Sequence, residues 1–243
     1  VLSLVVHTTK EYVCVMQLHG SVDDKKLKEV IGKFIGKIYQ KPPLRSSVKR
    51  TLRIRKVHYI DILEREGKLV LLKIGCEAGT YVRKIIHDIG LLLGVGAHMR
   101  ELRRIKAGPF KEDETLVRLQ DIAEALYRWK EEGKDDLLRK VIAPMERAVC
   151  YLPKIIIRDT AVDAIAHGAH LAVPGILALH ENIGVGERVA IFTAKGELVA
   201  IGKANMTTNQ IMEANKGIAV KVTRVIMPPG VYPKAWKSRE RSK

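Results

Sequence analysis

Glu77-Ala78-Gly79-Thr80-Tyr81-Val82-Arg83-Lys84-Ile85-Ile86-His87-Asp88-Ile89-Gly90-Leu91-Leu92-Leu93-Gly94 is the stretch on which the fold turns. Val82, Ile85, Ile86, Ile89, Leu92 and Leu93 recur at helical spacing and make one apolar face. Arg83, Lys84, His87 and Asp88 fall outside that face, Gly79-Thr80 precedes the helix and Gly94 stops it. Immediately upstream, residues 52–64 and 68–76 read as two long strands joined by a turn at Arg65-Glu66-Gly67, a hairpin. Before that, Tyr12 to His19 is rich in β-branched and aromatic residues and reads as a half-buried strand. Leu27, Val30, Ile31 and Phe34 then follow helical spacing. Downstream, two further helices are expected near Leu119 to Glu132 and Asp135 to Val149. The pattern predicts an α/β (α+β) architecture: a mixed, largely antiparallel sheet with flanking helices.

From Tyr151 the texture changes to short elements punctuated by glycine. A strand at residues 154–157, a short helix at 159–167, strands at 188–193 and 197–206 around Lys195-Gly196, and a last strand at 218–227 predict a small β-barrel-like module of about 80 residues. Thr207 and Gln210 have the spacing of a capping box for one short helix. The expected division is residues 1–151, residues 152–235, and a basic tail at 236–243.

The 243 residues carry 43 Lys plus Arg against 27 Asp plus Glu, a formal net charge of +16, with 47% hydrophobic residues. That composition allows a buried core and argues against a disordered basic tail. No run approaches the ~18 consecutive apolar residues of a membrane span. The opening residues lack the basic, apolar and cleavage regions of a signal peptide, so neither secretion nor membrane insertion is expected. Cys14, Cys76 and Cys150 lie far apart with no C-x-x-C pair, which fits a reducing, cytoplasmic compartment. His87-Asp88 lacks companion histidines at ligand spacing, and neither a G-x-x-x-x-G-K-[ST] loop nor a dinucleotide fingerprint occurs. No metal site and no cofactor are expected.

The densest charge lies in Lys37 to Lys56, which holds eight Lys or Arg residues and no acid. Pro42-Pro43 and Ser46-Ser47 prevent one regular helix there, so the charge sits on a loop. A basic loop on a rigid scaffold is how phosphate backbones are commonly held, because each neutralised phosphate releases counterions. Nucleic acid is the expected partner, RNA and DNA both being open on charge alone. Lys49, Arg50, Arg53, Arg55, Arg103 and Arg104 are the candidate phosphate contacts.

Three segments point to a family. Lys10-Glu11-Tyr12, then Gln40-Lys41-Pro42-Pro43-Leu44-Arg45-Ser46-Ser47-Val48-Lys49, then Glu77 to Arg83 with His87-Asp88-Ile89-Gly90 and Glu101-Leu102-Arg103-Arg104, resemble the successive motifs of TruB-type pseudouridine synthases in order and spacing. The wording around Gly94-Val95-Gly96-Ala97-His98-Met99 and Gly108-Pro109-Phe110 is similar to the dyskerin-like, archaeal-type catalytic subunits of H/ACA guide-RNA particles. The second half, with Asp159-Thr160-Ala161-Val162, His167-Gly168-Ala169, Val173-Pro174-Gly175 and Lys195-Gly196-Glu197, is similar to a PUA domain, an RNA-binding module.

The resemblance implies an isomerisation without a cofactor: a uridine's glycosidic bond is cleaved, the uracil rotates, and a carbon–carbon bond is made. It implies roles as well. Tyr12 matches the aromatic that stacks on the flipped base, which needs a platform to offset lost stacking. Tyr81 matches the tyrosine below the reacting nucleotide. Arg83 matches the arginine that pairs with the catalytic carboxylate and holds it ionised. Leu102 matches an apolar residue of the uracil pocket, where a plain core leucine would serve the same pattern.

In the PUA-like part His167, Gly168, Ala169 and His170, with Pro174 and Gly175, match the grip on the guide RNA's lower stem and ACA end. Glycine there would permit close backbone approach, as would a simple turn. The family's essential aspartate sits in a G-x-L-D-P-like loop upstream of Lys10-Glu11-Tyr12. No such loop occurs in this sequence, and the aspartate is expected upstream of Val1. Expected partners are H/ACA guide RNA, substrate rRNA or tRNA, and the particle's small accessory proteins, with no membrane. A noncatalytic RNA-binding scaffold and a stand-alone tRNA enzyme stay open as alternatives.

Overall fold

The computed structural model describes residues 2–42 and 48–235. Pro43-Leu44-Arg45-Ser46-Ser47 of the basic motif and the tail from Trp236 to Lys243 lie outside the described residues. By contacts the chain divides into two units, Val1–Ile142 and Ala143–Lys243.

In the first unit the elements run α1 (Leu2–Val6), β1 (Lys10–Leu18), α2 (Asp24–Gly32), β2 (Gly36–Gln40), β3 (Arg53–Glu66), β4 (Leu69–Cys76), α3 (Val82–Leu93), β5 (Ala97–Ala107), β6 (Phe110–Lys111), α4 (Leu119–Glu132) and α5 (Asp136–Val141). The six strands form one antiparallel sheet in the order β2-β3-β4-β1-β5-β6. β1 alternates buried Cys14, Met16 and Leu18 with half-exposed neighbours, the period-two signature of a sheet covered on one side. Leu27, Val30 and Ile31 of α2 and Val82, Ile85, Ile86, Ile89 and Leu93 of α3 share a single core with those residues. Burying each of the three isoleucines of α3 contributes about 1.5–3 kcal/mol. Asp23 caps α2, its carboxylate accepting the Lys25 N–H at 2.9 Å.

The turn between β3 and β4 is tighter than the sequence predicts. Glu66 pairs with Leu69, leaving Gly67-Lys68 as a two-residue loop. Gly67 at φ +56° supplies the left-handed conformation such loops need. The helix predicted over Asp135–Val149 is a correction: α5 stops at Val141, and a separate 3₁₀ turn covers Met145–Val149. Pro144 between them has no N–H to donate and disfavours a helical residue before it. That 3₁₀ turn belongs to the second unit, where Glu146 accepts the Leu198 N–H at 2.9 Å. β5 is absent from the sequence expectation, because its exposed run Arg100–Arg104 carries charge towards both faces and shows no alternation.

The second unit runs β7 (Lys154–Ile157), α6 (Asp159–Ala166), β8 (Leu171–Ala172), a 3₁₀ turn at Val173–Gly175, β9 (Ile176–Leu179), β10 (Arg188–Thr193), β11 (Leu198–Ala204), α7 (Thr208–Glu213) and β12 (Ile218–Val225). Its sheet has the order β8-β12-β11-β10-β7-β9, antiparallel except for β10 with β7. The capping box forms as expected: Thr207 N–H donates to Gln210 at 2.8 Å and Gln210 N–H to Thr207 Oγ1 at 3.2 Å. After β12 the chain is fastened back, with Gly230 N–H on Asp163 at 3.3 Å and the Tyr232 hydroxyl donating to Glu197 at 2.6 Å. The whole is α+β, with a helix-backed antiparallel sheet followed by a β-rich module.

Candidate functional site

The turn Glu77–Thr80 extends the β3–β4 ladder and then reverses it. Glu77 N–H donates to the Lys56 carbonyl at 2.9 Å, Lys56 N–H donates to the Glu77 carboxylate at 3.0 Å, and the Thr80 hydroxyl donates to the Glu77 carbonyl at 2.8 Å. Gly79 stands at φ +78°, and a Cβ there would meet the Arg55 guanidinium at 3.3 Å. The guanidinium thus lies against the turn, with Nη1 donating to the Ile54 carbonyl at 2.9 Å and, among the described residues, no hydrogen-bond partner for the buried Nε. Tyr81 follows as the N-cap of α3 in an extended conformation, with no side-chain cap bond. Its carbonyl accepts the Lys84 N–H at 3.0 Å, and Gln40 at the end of β2 bonds its main chain at both ends.

At the second residue of α3, Arg83 lines a cleft of about 590 Å³ whose lining includes Lys41, Pro42, Arg50, Lys84, His87, His98 and Met99. Four cationic side chains therefore converge on one hollow. Lys84 is paired with Asp88, one turn on. Arg50 Nε donates to the Pro42 carbonyl at 3.2 Å, which closes the two described ends of the basic segment onto each other. His98 hydrogen-bonds His19, ring nitrogen to ring nitrogen, at 2.8 Å. Arg53 pairs across the ladder with Gln40 and Arg55 with Ile38, so both share the sheet face of the buried Gln40. Tyr39 and Ile54 form the exposed pair on the other face.

Tyr12 stands opposite Ile74 on β4 and Arg104 on β5, on the face covered by the helices. Burial pushes its phenol up, partly offset by the hydrogen bond and charge of Arg104. Lys10, two residues earlier, is 8% exposed and donates to the carbonyls of Val5 at 2.9 Å and Thr8 at 2.7 Å, capping the short α1. Burial, and after it Arg104, lowers the Lys10 ammonium. Leu102 stands opposite Cys14 on this face and is 43% exposed. Tyr12, Leu102 and Arg104 thus share a strip of sheet, whereas Arg83 lines the cleft with Lys41 and Arg50.

The candidate phosphate contacts divide. Lys49, Arg50, Arg53 and Arg55 lie at the basic segment and the start of β3, whereas Arg103 turns to the other sheet face and is held by Glu112, with Nε to the carboxylate at 2.8 Å. Arg104 serves Tyr12.

Sequence reasoning missed several residues that the fold brings in. Gln40, Lys41, Lys84, His87 and His98 were all visible inside or beside the quoted motifs, but only as wording. Glu11 is another: it faces away from Tyr12 and accepts from Lys106 at 2.8 Å with Lys73 at 3.7 Å. Burial pushes the Glu11 carboxyl up, but the hydrogen bond and charge of Lys106, with Lys73 and Tyr59, hold it below its ordinary value. Gly75 leaves room for Tyr59 in that cluster, since a Cβ would come 2.3 Å from its ring.

In the second unit, Gly168 at φ +92° ends α6 with a paired cap: Gly168 N–H donates to the Ile165 carbonyl at 2.8 Å and Ala169 N–H to the Ala164 carbonyl at 3.0 Å. Gly175 packs against α6, where a Cβ would meet Ala161 and Leu171 at 3.2 Å. The left-handed cap at Gly168 and the close packing at Gly175 are therefore sufficient reasons for the two glycines. His167, Ala169, His170 and Pro174 are exposed around them, and the His167 Nδ1 lies 2.8 Å from the Asp163 carbonyl. Among the described residues no helix is long and apolar enough to cross a membrane.

Three family models match the chain: "Pus10, C-terminal" over residues 4–91, "tRNA pseudouridylate synthase B C-terminal domain" over residues 83–150, and "PUA domain" over residues 153–226. The "Probable tRNA pseudouridine synthase B" of Thermococcus kodakarensis is 58% identical over 231 residues, 95% of this chain and 68% of that protein. Its Pyrococcus furiosus counterpart is 58% identical over 96% of this chain and 68% of its own length. Among solved structures, an H/ACA ribonucleoprotein bound to a substrate RNA containing 2'-deoxyuridine has a chain that superposes with a TM-score of 0.89 at 53% identity, covering 97% of this chain and 71% of that one. A Cbf5-Nop10-Gar1 complex gives 0.88 at 56% identity, covering 96% and 71%. With the basic cleft at the head of α3 and a PUA domain at residues 153–226, this chain belongs to the TruB-type pseudouridine synthase family.

Proposed function

We propose that the chain acts in the RNA-guided isomerisation of uridine to pseudouridine in rRNA, as the catalytic subunit of an H/ACA ribonucleoprotein in the cytoplasm. The observation that carries this reading is the cleft that gathers Arg83 with Lys41 and Arg50 beside the Tyr81 cap of α3. A pure RNA binder has use for the cations but none for an arginine at the position that, by family resemblance, partners a catalytic carboxylate. In the reaction the C1′–N1 bond breaks and a C1′–C5 bond forms. The proton lost from C5 balances the one gained at N1, so no redox partner is called for. The carboxylate would come from a G-x-L-D-P-like loop that this sequence does not contain. Arg83 would hold that carboxylate ionised by charge and paired hydrogen bonds. Tyr12 would stack on the extruded base with Arg104 opposite it on β5, Tyr81 would pack below the nucleotide, and Leu102 would close the pocket.

Residues 1–151 form the catalytic part in this scheme and residues 152–235 the RNA-binding part. Lys49, Arg50, Arg53 and Arg55 hold phosphates, and the exposed surface at His167, Ala169, His170 and Pro174 receives the guide RNA's ACA end. Solved relatives assembled with Nop10 and Gar1 support small accessory proteins as partners. The curated relatives' name favours a second reading, a stand-alone tRNA enzyme.

The test is release of tritium from C5-labelled uridine by the full-length protein, with and without guide RNA. Activity that needs the guide supports the first reading, and guide-independent turnover of tRNA supports the second. Arg83→Ala is expected to lower the single-turnover rate by about a hundredfold or more, the usual scale for losing a charge partner of the reacting group, with RNA affinity nearly unchanged. An Arg83→Ala protein that turns over at the normal rate would remove the chemistry from this cleft.

A further inference from the structure

Gln40 joins the two sides of the cleft, and no role assigned above uses it. It ends β2 and immediately precedes Lys41 and Pro42 of the cleft wall. Its side chain is 3% exposed. A buried amide is costly unless both of its ends are bonded. Both are: Tyr81 N–H donates to Oε1 at 2.9 Å, and Nε2 donates to the Tyr81 carbonyl at 3.1 Å. Two bonds to one residue's main chain form a clamp, and Tyr81 caps α3 with no side-chain cap bond of its own. On the other side, the Arg50 bond to the Pro42 carbonyl fastens the far end of the basic segment to the same strand end. One buried amide therefore sets the register between Tyr81, with Arg83 two residues on, and Lys41 and Pro42 at the end of β2.

We propose that Gln40 is a positioning residue for the isomerisation, holding Tyr81 and Arg83 in register with Lys41 and Arg50 of the cleft through the Tyr81 main chain. The proposal rests on the pseudouridine synthase reading of this site. It has a chemical signature. A protonated carboxyl offers the same donor and acceptor as an amide, whereas a carboxylate only accepts and would face the Tyr81 carbonyl with like charge. Gln40→Glu should therefore restore the clamp at low pH and lose it at high pH, while Gln40→Leu, of similar size, should lack it throughout.

Single-turnover rates of the full-length protein assembled with guide RNA, each taken relative to wild type at the same pH, decide it. RNA affinity and amide exchange over residues 80–84 are measured alongside. Gln40→Leu is expected to fall about tenfold or more at every pH, the scale of a small misplacement of a reacting group. Gln40→Glu should match it near pH ~8 and recover towards wild type as its carboxyl protonates at lower pH. RNA affinity should stay within about twofold, since no phosphate contact is touched. A wild-type rate in Gln40→Leu overturns the proposal. So does a Gln40→Glu deficit that ignores pH, or a loss of rate that merely tracks a loss of RNA affinity. Should wild type make no pseudouridine, the functional reading falls and amide exchange judges the clamp. Faster exchange at Tyr81 in Gln40→Leu upholds it, and unchanged exchange overturns it.

Discussion

At the scale of single residues, side-chain partners decide what a motif letter means. Arg103 and Arg104 are adjacent and chemically identical, and in the sequence both are phosphate candidates. Strand geometry sends them to opposite faces, Arg103 to Glu112 and Arg104 opposite Tyr12. The Lys10-Glu11-Tyr12 motif splits the same way: Lys10 caps α1, Glu11 serves the lysine cluster on the far face, and only Tyr12 bears on the site. Family wording identifies such positions, whereas partners from distant strands do not appear in a linear pattern.

The cysteines carry a prediction with a definite sign. Burial pushes the Cys14 thiol up to about 12 and the Cys76 thiol up to about 11, from 9.0. Between these values the folded chain retains protons that the unfolded chain has released. The stabilisation is therefore complete below pH 9 and is lost as pH rises towards 11 to 12. The denaturation midpoint should fall with rising alkalinity, and less steeply in Cys14→Ala after its lower starting stability is subtracted. Equal slopes would mean that Cys14 is not the titrating group. In native alkylation only the exposed Cys150 should react promptly.

At the scale of elements, α3 was legible because apolar residues recur at helical spacing and a glycine stops it: Val82, Ile85, Ile86, Ile89 and Leu93 are buried as expected, Leu92 at the edge of the face is 58% exposed, and the observed span Val82–Leu93 ends with Gly94 in the left-handed cap. β5 was not legible, since its partners β1 and β6 impose the strand while its own residues alternate nothing. What locks these two elements together is Gly90. A Cβ there would lie 2.1 Å from the Ala97 backbone nitrogen and 2.6 Å from the Ala97 Cβ. Neither is the yielding end of a long side chain, so the helix would have to move off the strand. Gly90→Ala should cost about 2–4 kcal/mol despite the helix propensity it gains, read as a lower midpoint in urea with an unchanged slope. Gly94→Ala meets open space but must hold φ +79°, and should cost only about 1 kcal/mol. If the two variants were equally stable, steric lock at Gly90 would be wrong and backbone conformation alone would set both costs.

At the scale of the whole molecule, the net charge of +16 pointed to a nucleic-acid partner before any element was placed. Net charge alone says nothing of where the polyanion lies, and the fold converts it into a testable distribution. Arg50 and Arg53 sit at the mouth of the basic segment with only main-chain carbonyl bonds described, so a phosphate can claim them without breaking an ion pair. Arg103 would have to leave Glu112 first. Binding of single-stranded RNA by Lys and Arg loses affinity with salt at about 0.7 in log–log slope per phosphate neutralised. Arg50→Gln with Arg53→Gln should therefore make the slope shallower by about 1.4 and weaken binding to different RNA sequences alike, whereas Arg103→Gln should leave the slope where it is. An unchanged slope in the double variant would take RNA off the basic segment. A slope that moves with Arg103→Gln would put RNA across the outer face of β5, where Glu11 and its lysines lie.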